Sequence, residues 1–374
     1  MGIFSPFNRL VELWSRWERP LSAGSLALGF TFDLFLAKRP DSVVDNILLL
    51  AYLFIAGAFI LILNIHINRK GEGEHYVTPI ILLLILQFCF GGLASNLLIL
   101  YGRSGTFAGS TLFYLILAGM LVGNEFMQGR YAQLRFNIVV YYFLMLTYCV
   151  IAVPTFIFHS ISQWIFLASG AISLLSIGVF LFLVYIIVLR GREREAQIYE
   201  VSVLVGLVFL LFNGLYFLQI IPPVPLSLKN IGVYHSITRL HSVQAGSTEA
   251  IYTAVYEPAP WYKFWRTISA TYTISGAAEA ACFSSVFAPT NLSAPIFHRW
   301  EEYDEGAGKW VTRARISFDI SGGRDDGYRG FTLADVAPGK WRCDVETENG
   351  ALIGRTTFTV VSAPSGPALS TKTL

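Results

Sequence analysis

A chain of 374 residues has room for roughly two or three domains, but 54% of its residues are apolar, only 14% are charged and its mean hydropathy is +0.55. Such a composition excludes a wholly water-soluble globule, because the apolar excess needs lipid as its solvent. A formal net charge of +2, with no basic tract interleaved with aromatics, sets nucleic acid aside as a partner.

Residues 1–19 read as an interfacial amphipathic helix. Phe7, Leu10, Val11, Trp14 and Trp17 recur at helical spacing, with Arg9, Glu12 and Arg16 between them. No secretory cleavage pattern follows, and Met1-Gly2 lacks the downstream Ser or Thr that myristoylation needs. From Pro20 to Leu36 runs an apolar segment shorter than a usual span of about 20 residues, with Asp33 near its far end. Six stronger spans follow, at 43–64, 77–100, 106–127, 136–158, 163–189 and 200–221. Isolated backbone in lipid satisfies itself only within helices, so residues 20–221 are expected to form an α-helical polytopic membrane bundle of about seven spans.

Lysine and arginine in the short loops set its orientation. One set of loops carries Arg69 and Lys70, Arg130 and Arg135, then Arg190, Arg192 and Arg194; the alternate set carries Lys38, Arg39 and Arg103. The first set is therefore expected in the cytoplasm together with the N-terminus, and everything after the last span outside it. Asp33, Asn96, Asn124, Glu125 and Asn213 are the candidate intramembrane polar residues, since ionisable groups within spans are costly and mark function. Most stand near helix ends, where Asp33 would pair with Lys38 or Arg39 and Glu125 with Arg130. No two carboxylates share the middle of one span, as a proton-coupled transporter would require.

The last span runs into Ile221-Pro222-Pro223-Val224-Pro225, where prolines without amide donors stop the helix. Residues 222–276 are expected as an exit linker and membrane-proximal segment. Within it, Trp261-Tyr262-Lys263-Phe264-Trp265-Arg266 fits either a membrane interface or a cover over one edge of the following domain. Between 277 and 361 the pattern changes to period two: Trp310, Thr312, Ala314, Ile316 and Phe318 share one face, Val311, Arg313, Arg315 and Asp319 the other. An all-β antiparallel sandwich is expected there, with Asn349-Gly350 as a tight hairpin turn in which both residues take positive φ. Residues 362–374, rich in Ser, Pro and Thr, read as a disordered tail.

Cys89 and Cys149 lie in spans, which leaves Cys282 and Cys343 as the possible disulfide in an oxidising compartment. Strand alternation sets Cys343 beside Trp341 and Val345 but Cys282 opposite Phe283 and Phe287, so the bond stays open on geometry. No Cys/His spacing points to a metal, and no cofactor is expected. His298 reads as a core histidine, because no Ser, Cys or Asp stands in a triad spacing; no catalytic residue is assigned. Gly322 to Gly327 follows a strand but opens no helix, and reads as a turn. Arg313, Arg315, Arg324, Arg329 and Arg342, with Arg355, are the candidate ligand-binding set. Guanidinium forks take carboxylate and phosphate, which suits an anionic envelope glycan, a lipid headgroup or an envelope protein. Asp319, Asp325, Asp326, Asp344 and Glu346 are the competing internal partners.

Cys282-Phe283 through Val286-Phe287-Ala288-Pro289, His298-Arg299-Trp300, Gly323-Arg324 with Tyr328-Arg329-Gly330, Gly339-Lys340-Trp341-Arg342 and Gly354-Arg355 with Phe358 together resemble the bacterial domain of unknown function 2914. The helical part, with its Pro-Pro-Val-Pro-Leu-Ser-Leu-Lys exit, is similar to the membrane region that often precedes that domain. The resemblance implies a Gram-negative envelope protein and brings no assigned activity. The expected function is a non-enzymatic binding or scaffold role, from the inner membrane, with the sandwich in the periplasm. The alternative is a transporter or flippase of a lipid-linked or polymeric envelope substrate. A polar, water-filled cavity in the bundle would favour the alternative, and a tightly packed apolar bundle the scaffold.

Overall fold

The computed structural model describes residues 30–31, 33–34, 40–69, 80–105, 107–126, 133–189, 194–244, 247–276, 278–290, 292–321, 327–364 and 366–374. The helix expected at 1–19 and most of the 20–36 segment fall outside these residues. The chain divides into two compact units, the second made of residues 103–110, 159–161 and 222–374.

Six described helices precede the β-structure: α1 (Val43–Arg69), α2 (Ile80–Arg103), α3 (Phe107–Phe126), α4 (Leu134–Ala152), α5 (Gln163–Leu183) and α6 (Arg194–Phe217). Five apolar stretches are long enough to cross a membrane: Val43–Ile67, Leu82–Ser104, Leu134–Phe158, Gln163–Val188 and Arg194–Phe217. That of α3 is shorter, Ser110–Gly123, and its backbone leaves helical angles at Ser110 (φ −123°, ψ 15°). The helices present Phe54, Phe88, Leu175 and Leu210 outward, as surfaces solvated by hydrocarbon do.

α4 is the central helix and packs against α1, α5 and α6. It continues into a π-helical turn over Val153–Phe158, where Pro154 has no amide to give to the regular ladder. Several polar side chains within the helices donate one turn back: Asn64 to the Ile60 carbonyl, Asn96 to Gly92, Ser169 to Ile165 and Asn213 to Phe209. That local bonding is how an amide or hydroxyl avoids an unmet donor in lipid. The small residues serve close approach: a Cβ on Gly92 would come within 2.8 Å of the Tyr52 ring.

The second unit contains β1 (Ser227–Tyr234), β2 (Ser236–Gln244), β3 (Ser247–Tyr256), β4 (Thr271–Ile274), β5 (Ala278–Phe287), β6 (Ser293–Asp304), β7 (Lys309–Ser321), β8 (Tyr328–Val336), β9 (Gly339–Thr347), β10 (Leu352–Ser362) and β11 (Ser370–Thr373). They form three sheets with orders β1-β5-β8, β4-β10-β9-β6-β7 and β11-β3-β2. Ala280 and Cys282 of β5 share a core with Trp300, Trp341, Cys343 and Phe358 of the five-stranded sheet. Ala281 and Phe283, on the other face of β5, pack with Tyr252 and Ala254 of β3. The sheet containing β5 is thus covered on both sides, and every residue from Ala280 to Phe287 is buried.

Several expectations change here. Residues 222–276, read as a linker, supply β1 to β4. The tail read as disordered ends in β11, whose Ser370–Thr373 pair with Tyr256–Thr253 of β3. Tail composition argued for disorder, but a single edge pairing outweighs it. β4 runs parallel to β10, so the five-stranded sheet is mixed rather than antiparallel. At the β9–β10 hairpin only Gly350 takes positive φ (79°), not Asn349. The loop is longer than a two-residue turn: Gly350 N donates to the Thr347 carbonyl, and Thr347 N to that of Ala351.

Candidate functional site

Most of the arginines lie on the outer face of the five-stranded sheet. Trp341, Cys343 and Val345 of β9 point into the core, which turns Arg342, Asp344 and Glu346 the other way. Register then places Asp344 between Arg355 of β10 and Arg299 of β6. Arg355 donates from Nε to Asp344 Oδ1 at 2.6 Å and from Nη2 to Oδ2 at 2.6 Å, while Arg299 Nη2 reaches Oδ2 at 3.0 Å. Arg342 Nε donates to Glu301 at 2.5 Å, Arg315 Nε to Glu346 at 2.7 Å and Arg313 Nε to Glu302 at 2.8 Å. Asp344, Glu346 and Glu301 are buried beneath guanidiniums that remain partly exposed. Arg315 stacks 3.9 Å from the Phe297 ring centroid and Arg342 4.4 Å from that of Trp310.

Arg313, Arg315 and Arg342 are therefore held by carboxylates of their own chain. Arg329 stands apart on β8, where it donates to the main-chain oxygen of Leu374 at 3.1 Å. Arg324 lies outside the described residues, with Asp325 and Asp326. Sequence reasoning missed Arg299, Glu301 and Glu302 as members of this network. A register shift between Trp300 and Glu301 breaks the alternation there and hides which side each residue faces.

Beneath the same sheet, Cys282 and Cys343 are joined (Cα–Cα 6.6 Å), clipping β5 to β9 across two sheets. The objection from alternation dissolves because both faces of β5 are core: Phe283 fills one and Cys282 the other. His298 lies beside the bond, with its ligand atom and both sulfurs within 4.8 Å of one another. No sequence spacing signals this cluster, since the three residues come from three strands. Both sulfurs are spent on each other. His298 Nε2 is 2.7 Å from Ser284 Oγ and Nδ1 2.9 Å from Thr332 Oγ1, which also accepts from Trp300 Nε1 at 3.0 Å. As built, the cluster is a closed polar core rather than an open ligand set.

Burial lowers the His298 pKa to about 3. The folded unit therefore keeps a neutral ring where the unfolded chain, with a pKa near 6.5, takes up a proton. Stability attributable to this residue is full above about pH 6.5 and is lost as pH falls from there toward 3, by about 2 kcal/mol at pH 5. Denaturation of the wild type and His298→Gln at pH 7.5 and 5 checks this: the variant is expected to lose that part of the pH dependence.

A pocket of about 200 Å³ opens elsewhere on the second unit, lined among others by Asn230, Trp265, Arg266, Thr356 and Lys372. The Arg266 guanidinium donates to the carbonyls of Ile268 and Thr357, neither of which carries charge. Lys372 Nζ lies 5.2 Å from the Tyr234 ring centroid and 5.3 Å from that of Tyr256, and burial lowers its pKa. Neither cation has a carboxylate partner among the described residues.

In the first unit, Asp33 faces Ser95 and Asn96 of α2, so two of the intramembrane candidates meet. Lys38 and Arg39, the expected partners of Asp33, lie outside the described residues, as do the side chains of Asn124 and Glu125. Asn213 is spent on the Phe209 carbonyl. A cavity of about 270 Å³ in the bundle is lined by Phe90, Leu115, Met120, Phe136 and Leu144 with other apolar side chains and glycines.

Among solved structures, the chain is similar to a β-glucosidase from Listeria innocua in complex with isofagomine, at 8% identity over 32% of this chain and 17% of that one (TM-score 0.19). It is also similar to Pseudomonas fluorescens alkylpurine DNA glycosylase AlkC bound to DNA containing an abasic site analog, at 7% identity over 86% of this chain and 99% of that one (TM-score 0.20). Likeness at those scores sets neither fold nor function. No curated protein matches the chain. Residues 293–360, which run from β6 through β10 and hold most of the arginine network, match the family described as "Protein of unknown function (DUF2914)".

Proposed function

We propose that this is a non-enzymatic binding module anchored in a bacterial inner membrane by about seven spans, its N-terminus cytoplasmic and its β-sandwich periplasmic, that holds an anionic envelope component. The pocket lined by Arg266 and Lys372 carries this reading. Two cations without carboxylate partners among the described residues, beside Asn230, Thr356 and the Trp265 ring, offer charge, hydrogen bonds and a stacking face to one small anionic group. The arginines of the outer sheet face support the reading less, because their charge is met within the chain. Loops 103–110 and 159–161, which the basic-residue pattern assigns to the periplasmic side, cluster with the β-structure, and this agrees with the proposed orientation. The apolar lining of the bundle cavity favours a scaffold over a transporter path.

The test is photocrosslinking in cells from p-benzoylphenylalanine in place of Thr356, with the captured species identified by mass. An anionic glycan, lipid or single envelope protein is expected. Its yield is expected to fall roughly tenfold in Arg266→Ala/Lys372→Ala, as loss of two charge-assisted contacts implies. Capture that is indifferent to the double substitution would remove the pocket from consideration.

A further inference from the structure

The segment between β3 and β4 is a structured knuckle that displays aromatic rings to the outside. Two tight turns form it, with Lys263 N donating to the Pro260 carbonyl at 2.8 Å and Arg266 N to that of Lys263 at 2.9 Å. Its base is closed by Ala259 N to the Thr267 carbonyl at 3.0 Å and Ser269 N to that of Glu257 at 2.8 Å, with a bridge between Pro258 and Ile268. Arg266 ties the knuckle to β10 through the Thr357 carbonyl. On this frame Trp261 is 92% exposed, Phe264 90%, Trp265 70% and Tyr262 58%. The rings touch each other in edge-on pairs, Trp261 with Tyr262 and Phe264 with Trp265. Sequence left two roles open for these residues. Exposure of this degree removes the second, a cover over one edge of the β-structure.

We infer that this knuckle rests in the interfacial layer of the lipid bilayer in which the chain's own helices are embedded. Four exposed aromatics within five residues mark a surface that is covered in use. Three observations point to lipid as the cover. Trp and Tyr with a neighbouring lysine are the side chains that settle at the headgroup level, where a ring and a polar tip are both satisfied. Lys263 and Arg266 are the charged residues of the stretch, and no Asp or Glu stands between Glu257 and Glu279, so the tip complements anionic headgroups. Finally, β1 begins at Ser227, shortly after α6 ends at Phe217, and a chain of that length extends at most about 35 Å. The covalent chain therefore holds the start of β1 within that distance of the end of α6. The inference stands on Trp261, Tyr262, Lys263 and Phe264, none of which lines the Arg266/Lys372 pocket, although Trp265 and Arg266 belong to both.

The test uses the full chain in nanodiscs of phosphatidylethanolamine and phosphatidylglycerol, with p-benzoylphenylalanine in place of Phe264. The same probe in place of Ala307, at the exposed β6–β7 turn, is the negative control, and in place of Leu175, on the outward face of α5, the positive one. Illumination is expected to give phospholipid adducts at 264 roughly tenfold above those at 307, as interfacial depth implies. If position 264 yields no more lipid adduct than 307 while 175 labels well, the inference is overturned. A crosslink between two copies of the chain as the main product from 264 would overturn it in favour of a self-association surface.

Discussion

Replacing Asp344 by alanine is expected to destabilise the second unit by about 3–5 kcal/mol, the cost of removing one partner from a buried charge network. Asp344 has no exposed side-chain surface and receives Arg299 and Arg355 from the strands on either side of β9. Without it, Arg355 loses its carboxylate, and Arg299 keeps only its Nε contacts with Glu346 at 3.2 Å and Glu301 at 3.8 Å, both buried beside it. The readout is hydrogen exchange in the full chain, where amides of β6, β9 and β10 that open globally are expected to exchange roughly a hundredfold faster or more. Glu305→Ala serves as the contrast. Its contact with Lys340 joins two largely exposed side chains, so exchange is expected to stay as in the wild type. If the two variants behaved alike, the network would be surface decoration.

Breaking the Cys282–Cys343 bond is expected to cost a similar amount. The cysteines are 61 residues apart, and closing a loop of that size restricts the unfolded chain by up to about 4 kcal/mol in the chain-entropy account. The bond also joins β5 to β9 within the cluster containing Trp300, Trp341 and Phe358, so its loss loosens the contact between two sheets. Cys282→Ala/Cys343→Ala is expected to lower the denaturant midpoint markedly. Wild-type protein treated with a reductant is expected to approach the variant, while reductant leaves the variant itself unchanged. A midpoint that ignores both would show that packing alone holds the sheets together.

The two predictions bear on the arginine reading. Residues matched by the family model include Arg299, Arg342, Arg355, Asp344 and Glu346, and their mutual bonds show what this composition does within the chain. A guanidinium stacked on a ring and hydrogen-bonded to a buried carboxylate is a structural part of the sheet surface. Arg266 and Lys372, which have no carboxylate partner among the described residues, lie outside the matched segment, the first before it and the second after it.

Composition and hydropathy alone determined that helices come first and β-structure second, because segments without alternation and with few charges have one solution in lipid. The prolines at 222, 223 and 225 marked where one regime ends. Period two identified the inner and outer faces of β9 and of β7 from Ala314 to Phe318, since one side of that sheet meets core and the other meets water. The register shift beside Glu301 reverses it toward the start of β7, where Thr312 and Trp310, read as sharing the face of Ala314, instead meet Glu301 and Arg342 on the outer face. Tertiary structure decided what lies on the two faces of β5, because a strand buried on both sides carries no alternation to read. It also decided that β1 to β4 and β11 belong to the β-structure, through pairings of β1 with β5, β4 with β10 and β11 with β3 between residues far apart in the chain, which no local pattern encodes. The same long-range register chose carboxylates for Arg299, Arg313, Arg315, Arg342 and Arg355 and, among the described residues, left Arg266 and Lys372 without one. Sequence lists the charges, whereas only the fold determines which of them meet.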